Sequence, residues 1–432
     1  MTTDNQIYDV IVIGGGMAGL SAAKALKESG KTHLILEASD RLGGKVCSKI
    51  SEDTLRYFEL GAQFFNKDMT EIVQLIEDAG MTIEETRIPD NFVIISEKSK
   101  EPIQLDFKDI PDMFGLLKDI DSESLPLSNL LDKHVDNKRK RQIIKSFVAA
   151  ETTVNSTYIN SQALKEMVSR ITTTSNGLNY QSSGPLSRVV EHLNSISEEA
   201  VRYLEPVEKI KETSEGYIIR TKNKSKYRAR ALVIATPPTA AAHIKFSDAL
   251  TEHFDRYLRS FIDGSVIKMT FVYDEAFWRK QAIKGSKKTV YGVIYTANEG
   301  VNLMDSSKVD GENRLTLFIG GDKAKELSGV PMELKEFFAV ERLIEVFGED
   351  ADNYKDFEIS EWQESPYIGG GYGAMVHFKG DAEAPQHLKE PFNNVVFAST
   401  ELAPQFPYFM EGALRSGRYA VSRLTEEMSR RD

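Results

Sequence analysis

The residues with the plainest chemistry stand near the start of the chain, in YDVIVIGGGMAGLSAAKALKESGKTHLILEASDRLGGK from Tyr8 to Lys45. Gly14, Gly16 and Gly19 have the G-x-G-x-x-G spacing that cradles a dinucleotide pyrophosphate. Gly14 permits a tight turn, and Gly16 lets the backbone approach a phosphate. Gly19, with Ala22 and Ala23, lets the following helix pack close. Met17 and Ala18 lie at the start of that helix, whose free N–H groups and positive dipole end suit phosphate. Glu37, about 20 residues further on, stands where a carboxylate accepts bonds from ribose hydroxyls. A glycine-rich turn alone is common. Strand, glycines, helix, strand and acid at these spacings together read as dinucleotide binding. A second position invites chemistry: Lys268 interrupts the apolar run Val266–Tyr273. Burying an ammonium is costly, so this lysine either has a task or sits on an edge strand and reaches water.

The elements that must position these residues can be read coarsely. Val10–Ile13 and His33–Leu36 are strands flanking the small-residue helix. Met69–Ala79 has helical periodicity. Ile94–Phe107 alternates as a strand pair with Pro102 near its turn. Ser128–Ser182 is helix-rich, and Lys138–Arg141 reads as a solvated helix face. Gly184-Pro185-Leu186 opens a helix through Leu193. Tyr217–Thr221 and Tyr227–Ala231 read as a hairpin, and Leu232–Ala235 as the next strand, buried and stopped at Pro237-Pro238. A last helix runs to about Met428.

A chain of 432 residues is too long for one ordinary core, so two domains are expected. With 41% hydrophobic and 28% charged residues it has globular composition. Its formal net charge of −11 disfavours nucleic acid or an anionic membrane surface as partner. One cysteine, Cys47, excludes an internal disulfide and a cysteine-cluster metal site, and no metal is expected. No run is apolar enough to span a membrane and the first residues do not resemble a signal peptide; a cytoplasmic protein is the expectation.

Beyond Glu37, the run Ala38-Ser-Asp-Arg41-Leu-Gly43-Gly44-Lys45 resembles the mark of the flavin-dependent amine oxidase superfamily, which includes monoamine oxidases, polyamine oxidases, L-amino-acid oxidases, protoporphyrinogen oxidase and carotenoid desaturases. Lys45 stands where the family usually has arginine; it implies a pyrophosphate contact by a point charge rather than a fork. Glu59-Leu60-Gly61-Ala62-Gln63-Phe64 is similar to the segment whose backbone passes the flavin ring. Pro206-Val207 resembles a strand touching the adenine end. Gly264-Ser265-Val266-Ile267-Lys268 with Phe277-Trp278-Arg279 resembles the monoamine oxidase strand whose lysine holds a water against flavin N5. Trp362, Tyr367 and Gly369-Gly370-Gly371-Tyr372 resemble the segment that packs on the isoalloxazine. The cysteine that carries flavin covalently in monoamine oxidases is replaced by Gly371. Ser399-Thr400-Glu401 and Phe409-Met410-Glu411-Gly412-Ala413 resemble the C-terminal signature, with Glu401 near the ribityl and a helix from Met410 aimed at the flavin. Ser399 replaces a usual glycine.

The resemblance implies an α/β fold: a Rossmann-like, glutathione-reductase-type FAD-binding domain of residues 1–84, 183–258 and 366–432, with an inserted α+β substrate domain of 85–182 and 259–365. It implies non-covalent FAD, an amine held between Tyr372 and Phe409, oxidation of its C–N bond, and O2 reduced to hydrogen peroxide. A C–C desaturase or protoporphyrinogen-type oxidase on the same scaffold is the alternative enzyme. A GDP-dissociation-inhibitor-like binding protein is the alternative that is not one. If the substrate is an amino acid, Arg170, Arg188 or Arg279 would meet its carboxylate, and nothing ranks them. The oligomeric state stays open, a homodimer included.

Overall fold

The computed structural model describes residues 3–52, 54, 56–86, 92–97, 103–106, 123–173, 178–196, 200–279, 290–363 and 365–431. Two seven-stranded sheets dominate. The first runs, in spatial order, Val207–Thr213, Gly216–Thr221, Lys226–Ile234, Thr3–Ile13, His33–Leu36 and Val201–Arg202, with Val395–Phe397 also pairing with Lys226–Ile234. Thr3–Ile13 is parallel to both its neighbours. Helix Met17–Glu28 crosses over it and buries Leu20, Ala22, Ala23 and Leu26. The parallel core of this sheet, formed by Val395–Phe397, Lys226–Ile234, Thr3–Ile13, His33–Leu36 and Val201–Arg202, with a helix on its face is the Rossmann-like arrangement; Val207–Thr213 and Gly216–Thr221 extend it antiparallel.

Lys226–Ile234 is one strand where the sequence suggests a hairpin arm and a following strand. Its burial alternates along Lys226–Arg230 and is then continuous through Ile234. The first half carries one covered face as part of the hairpin, and the second runs into the parallel core covered on both faces. The change of period hides the continuity of the backbone.

The second sheet is ordered Asp356–Glu361, Val266–Tyr273, Asn313–Gly320, Val301–Asp305, Val290–Tyr295, Phe92–Ser96 and Ile103–Asp106. The last two form the strand pair expected within 94–107; Pro102 and Phe107 lie outside the described residues. Helices Leu127–His134, Lys138–Glu151 and Ser161–Ser169 fill the helix-rich stretch. Lys138, Arg139 and Lys140 are exposed as a solvated face, Arg139 pairing with Glu97 at 2.5 Å.

The terminal helix Met410–Arg431 returns to the first sheet and packs on Met17–Glu28. Their crossing is close because of Gly417, where a Cβ would lie 2.1 Å from the Ala18 carbonyl oxygen. Glu411 in its first turn is fully buried. Its carboxylate accepts the Glu71 and Ile72 N–H groups and pairs with Arg415, tying the helix to the start of Thr70–Asp78. Among the described residues no helix is long and apolar enough to cross a membrane.

Candidate active site

The glycine loop lies at the carboxyl end of Thr3–Ile13, the side of a parallel sheet where ligands bind. Gly14 has φ +104° and would set a Cβ 2.6 Å from the Ala235 carbonyl oxygen; a Cβ at Gly19 would lie 1.9 Å from that of Gly14. Both must be glycine for strand and helix to meet this closely. Gly16 is different. It caps the helix without a side-chain bond, and a Cβ there would meet only Gly44 Cα, at 3.9 Å. Gly43 N–H donates to the Gly15 carbonyl at 2.9 Å, so two glycine runs face each other across a narrow opening. The uncapped first turn, with Met17 and Ala18, lies beside it.

Glu37 is held rather than loose. One carboxylate oxygen accepts the Gly15 N–H at 2.6 Å, and the other accepts the Ser39 N–H and hydroxyl at 2.8 and 2.7 Å. A carboxylate has about four acceptor sites, so one stays available to a ligand hydroxyl. The Glu37 N–H donates to Arg202 and its carbonyl accepts from Glu205, which brings Val207 to the same end as Ala38. At the carboxyl ends of two neighbouring strands, the buried hydroxyls of Thr236 and Ser399 have no hydrogen-bond partner. Neither was singled out from sequence as a contact. Glycine opening, uncapped helix, anchored carboxylate and orphaned hydroxyls fit the pyrophosphate and ribose of FAD.

Lys268 lies at the other end, 4% exposed. Its strand is interior, flanked by Asn313–Gly320 and Asp356–Glu361, so it is not an edge lysine reaching water. Its Nζ donates to the Gln63 side-chain oxygen at 2.6 Å and to the Glu59 and Gly61 carbonyls at 2.7 and 3.2 Å. Three acceptors use all the N–H bonds an ammonium has. Burial pushes this amine down and the Glu59 carboxyl up, while each group's charge partly sustains the other's.

The Glu59–Phe64 segment is pinned from several sides. Trp362 Nε1 and the Ser360 hydroxyl both donate to the Leu60 carbonyl, and Ala62 N–H donates to Lys45 O at 3.1 Å. A Cβ at Gly61 would sit 2.0 Å from that same oxygen. Gln63 passes the network on, donating to Gln181 at 2.7 Å; Phe64 is half-buried. Arg41 turns inward, donating to the Leu42, Gly44 and Val46 carbonyls with its guanidinium 5.2 Å from the Trp362 ring. It therefore shapes the Gly43–Gly44 loop. Lys45 links the glycine loop to a distant segment. Its Nζ reaches the Tyr372 carbonyl at 3.2 Å, and burial lowers its pKa against the opposing charges of Glu401 and Asp263.

Around Tyr372 the chain is tight. Gly371 allows no side chain: a Cβ would lie 2.1 Å from the Thr153 hydroxyl and 2.7 Å from Gly264 Cα. Glu401, 2% exposed, accepts the Ala374 N–H at 2.9 Å, and Thr400 Oγ1 donates to the Phe409 carbonyl at 2.9 Å. Phe409, Met410 and Ala413 pack in the core beneath the first sheet, with Val10, Val12 and Leu20. The neighbour Tyr408 was not foreseen. Held at φ +70°, it donates its hydroxyl to Ala374 O at 2.6 Å and covers Gly373, where a Cβ would lie 2.4 Å from its ring. Among the described contacts Tyr408, rather than Phe409, reaches the Tyr372 segment. The Tyr367 ring lies 5.3 Å from Nζ of Lys222, whose N–H donates to the Pro206 carbonyl.

A parallel nucleotide sheet whose glycine cleft leads to a buried lysine delivered by a second sheet defines an FAD-dependent oxidoreductase. The chain belongs to the flavin-containing amine oxidoreductase family, whose model matches residues 17–425. It is 28% identical to a flavin-containing amine oxidase of Oncorhynchus mykiss over all of this chain and 88% of that protein. It is 25% identical to the flavin-containing amine oxidase B of Sus scrofa, over 98% of this chain and 87% of that one. Cyclohexylamine oxidase from Brevibacterium oxydans shares the fold, with a TM-score of 0.86, 22% identity and coverage of 98% of this chain and 100% of its own.

Proposed function

We propose that the protein oxidises a neutral amine held against Tyr372 and the Tyr408–Phe409 segment. The amine gives up two electrons and two protons to become an imine, which water hydrolyses to a carbonyl compound and ammonia. O2 takes the electrons and protons to give hydrogen peroxide. FAD, when bound, supplies the two-electron chemistry. The chain's own contribution is binding, orientation and exclusion of water.

The observation that carries this reading is Lys268: an interior-strand lysine with all three donors aimed at the Glu59–Gln63 segment. Beside it, Gly16, Gly43 and Gly44 supply the phosphate opening, and Glu37 the ribose contact. Non-covalent FAD is part of the proposal, supported by the lack of room or sulfur at Gly371. So is the division into a cofactor unit of 1–84, 183–258 and 366–432 and a substrate unit of 85–182 and 259–365, since each sheet draws mainly on one of them. An α-amino-acid substrate has less support. Arg170 turns its terminal nitrogens to the Glu401 and Ala403 carbonyls and Glu166, leaving only its buried Nε without a partner; Arg279 is engaged by Asp305 and Asn313, and Arg188 is exposed.

The test is a peroxide-release screen over amines, polyamines and amino acids with the purified protein. A yellow protein releasing peroxide and ammonia with an amine is expected. A colourless protein that FAD cannot reconstitute would overturn the cofactor assignment. A yellow one that turns over only a polyene or porphyrinogen would overturn the amine.

A further inference from the structure

Two consecutive residues before the terminal helix enter different cores. Phe409 packs beneath the first sheet, whereas Tyr408 packs on a helical cluster that includes Leu131, Ile159, Leu164 and Met375. The backbone permits this only by leaving its ordinary conformations. Phe406 has φ +52° and Tyr408 φ +70°, left-handed values that bulky side chains rarely adopt. Neither residue is loose. The Phe406 N–H donates to the Arg170 carbonyl at 3.0 Å, and a Cβ at Gly412 would lie 2.0 Å from the Phe406 carbonyl oxygen. Arg170 in turn donates to the Ala403 carbonyl. Two unfavourable conformations, held this firmly beside a candidate site, point to a task for the residues so held.

The Tyr408 side chain shows the task. Its hydroxyl donates to the Ala374 carbonyl at 2.6 Å, and the Glu401 carboxylate accepts the Ala374 N–H at 2.9 Å. Ala374 is fully buried, so neither of its backbone polar groups has water as a substitute partner. Ring and carboxylate also meet at Gly373, where a Cβ would lie 2.4 Å from the Tyr408 ring and 3.3 Å from Glu401 Oε1. One residue earlier, Lys45 Nζ reaches the Tyr372 carbonyl at 3.2 Å. Lys45 and Glu401 tie this segment to the loops of the first sheet; Tyr408 ties it to the helical cluster as well. Burial first, and the Glu401 charge second, hold the Tyr408 phenol well above its usual range, so it stays a donor at neutral pH.

We propose that Tyr408 is a positioning residue for amine oxidation, acting through Ala374 to set the Tyr372 ring, and that the left-handed turn serves to bring its hydroxyl there. The proposal rests on the amine-oxidase reading of the site. Tyr408 acts on the segment that carries Tyr372, and no step requires it to touch the substrate.

The experiment follows anaerobic flavin bleaching in the FAD-loaded enzyme over a range of amine concentrations, which separates the limiting rate from the apparent amine affinity. Tyr408→Phe removes one hydroxyl and keeps the ring. Tyr217→Phe is the control: its hydroxyl likewise donates to a backbone carbonyl, that of Asn393, from the antiparallel hairpin that extends the first sheet. Both variants should melt earlier than the original. Only Tyr408→Phe should also lower the limiting rate, at least tenfold, since a misplacement on the order of 1 Å costs about a hundredfold. Its ratio of flavin to protein absorbance should be unchanged. A smaller loss, or an equal loss in Tyr217→Phe, overturns the proposal. If Tyr408→Phe does not fold or hold flavin, Gly373→Ala decides, because its Cβ displaces the ring and spares the hydroxyl. The same tenfold loss is expected there, and a smaller one overturns the proposal. Amine oxidation at undiminished rates in these variants sinks this proposal alone, whereas a flavin-loaded protein that oxidises no amine sinks the reading beneath it.

Discussion

Replacing Lys268 by methionine keeps the length and apolar stem of the side chain and removes every donor. The Gln63 side-chain oxygen and the Glu59 and Gly61 carbonyls, now 2.6, 2.7 and 3.2 Å from Nζ, all lose a partner. A buried acceptor left unsatisfied costs about 1–3 kcal/mol. The variant is also spared an ammonium that burial already destabilises, so the lower end of that range applies to each. The sum is a loss of about 3 kcal/mol, read by urea denaturation. Function should suffer more than stability, because these bonds set the Glu59–Gln63 backbone against the opening. A misplacement on the order of 1 Å costs about a hundredfold in rate. Anaerobic stopped-flow with an amine measures flavin bleaching, and mixing the reduced enzyme with O2 measures its return. Lys268→Met is expected to remain yellow and to slow at least one half-reaction about a hundredfold. Gln63→Met, which removes one acceptor and leaves the lysine, should lose part of the same rate. A double-mutant cycle of the two should return a coupling of about 1.5–3 kcal/mol, the strength of a hydrogen bond to a charged group. Both half-reactions within twofold of the original, with unchanged stability, would remove Lys268 from the site.

Heat or acid precipitation should release all the flavin into the supernatant, because Gly371 offers no sulfur; flavin that stays with the pellet contradicts the non-covalent assignment. Gly19→Val should abolish flavin binding and cost at least about 3 kcal/mol, since its Cβ would fall 1.9 Å from Gly14 O; a normal ratio of flavin to protein absorbance refutes the packing argument. Glu151→Gln should be stabilising at high pH. The Glu151 carboxyl has an ordinary value of 4.5 and a folded value of about 7, so between them the folded chain holds more protons than the unfolded one. The original protein therefore loses stability as pH rises through that window, and the variant, carrying no charge, does not. Tyr291 and Tyr372, the phenols that face it, stay neutral throughout. Thermal melts of the flavin-free proteins from pH 4.5 to 9 should diverge up to about 7 and run parallel above it; a pH-independent difference would show that the carboxyl titrates normally.

Legibility followed the distance over which each constraint acts. Gly14, Gly16, Gly19 and Glu37 could be read because a turn, a helix start and a strand end lie within one short unit, and sequence spacing there is nearly a spatial ruler. Lys268 could be noticed, because an ammonium in an apolar run conflicts with its surroundings. Its partners could not be deduced: Gln63 and Glu59 are 205 and 209 residues away, and no local pattern encodes a hydrogen bond over that separation. The family resemblance implied a pyrophosphate contact for Lys45 and named no partner for Arg41. The structure turns Arg41 onto its own loop carbonyls and sends Lys45 to Tyr372; packing against Trp362 and the Glu401 charge decide their direction, and both lie more than 300 positions further along. Tyr408 was invisible for a different reason. It is an ordinary residue made specific by a left-handed backbone, a conformation that tyrosine does not advertise as glycine or asparagine would.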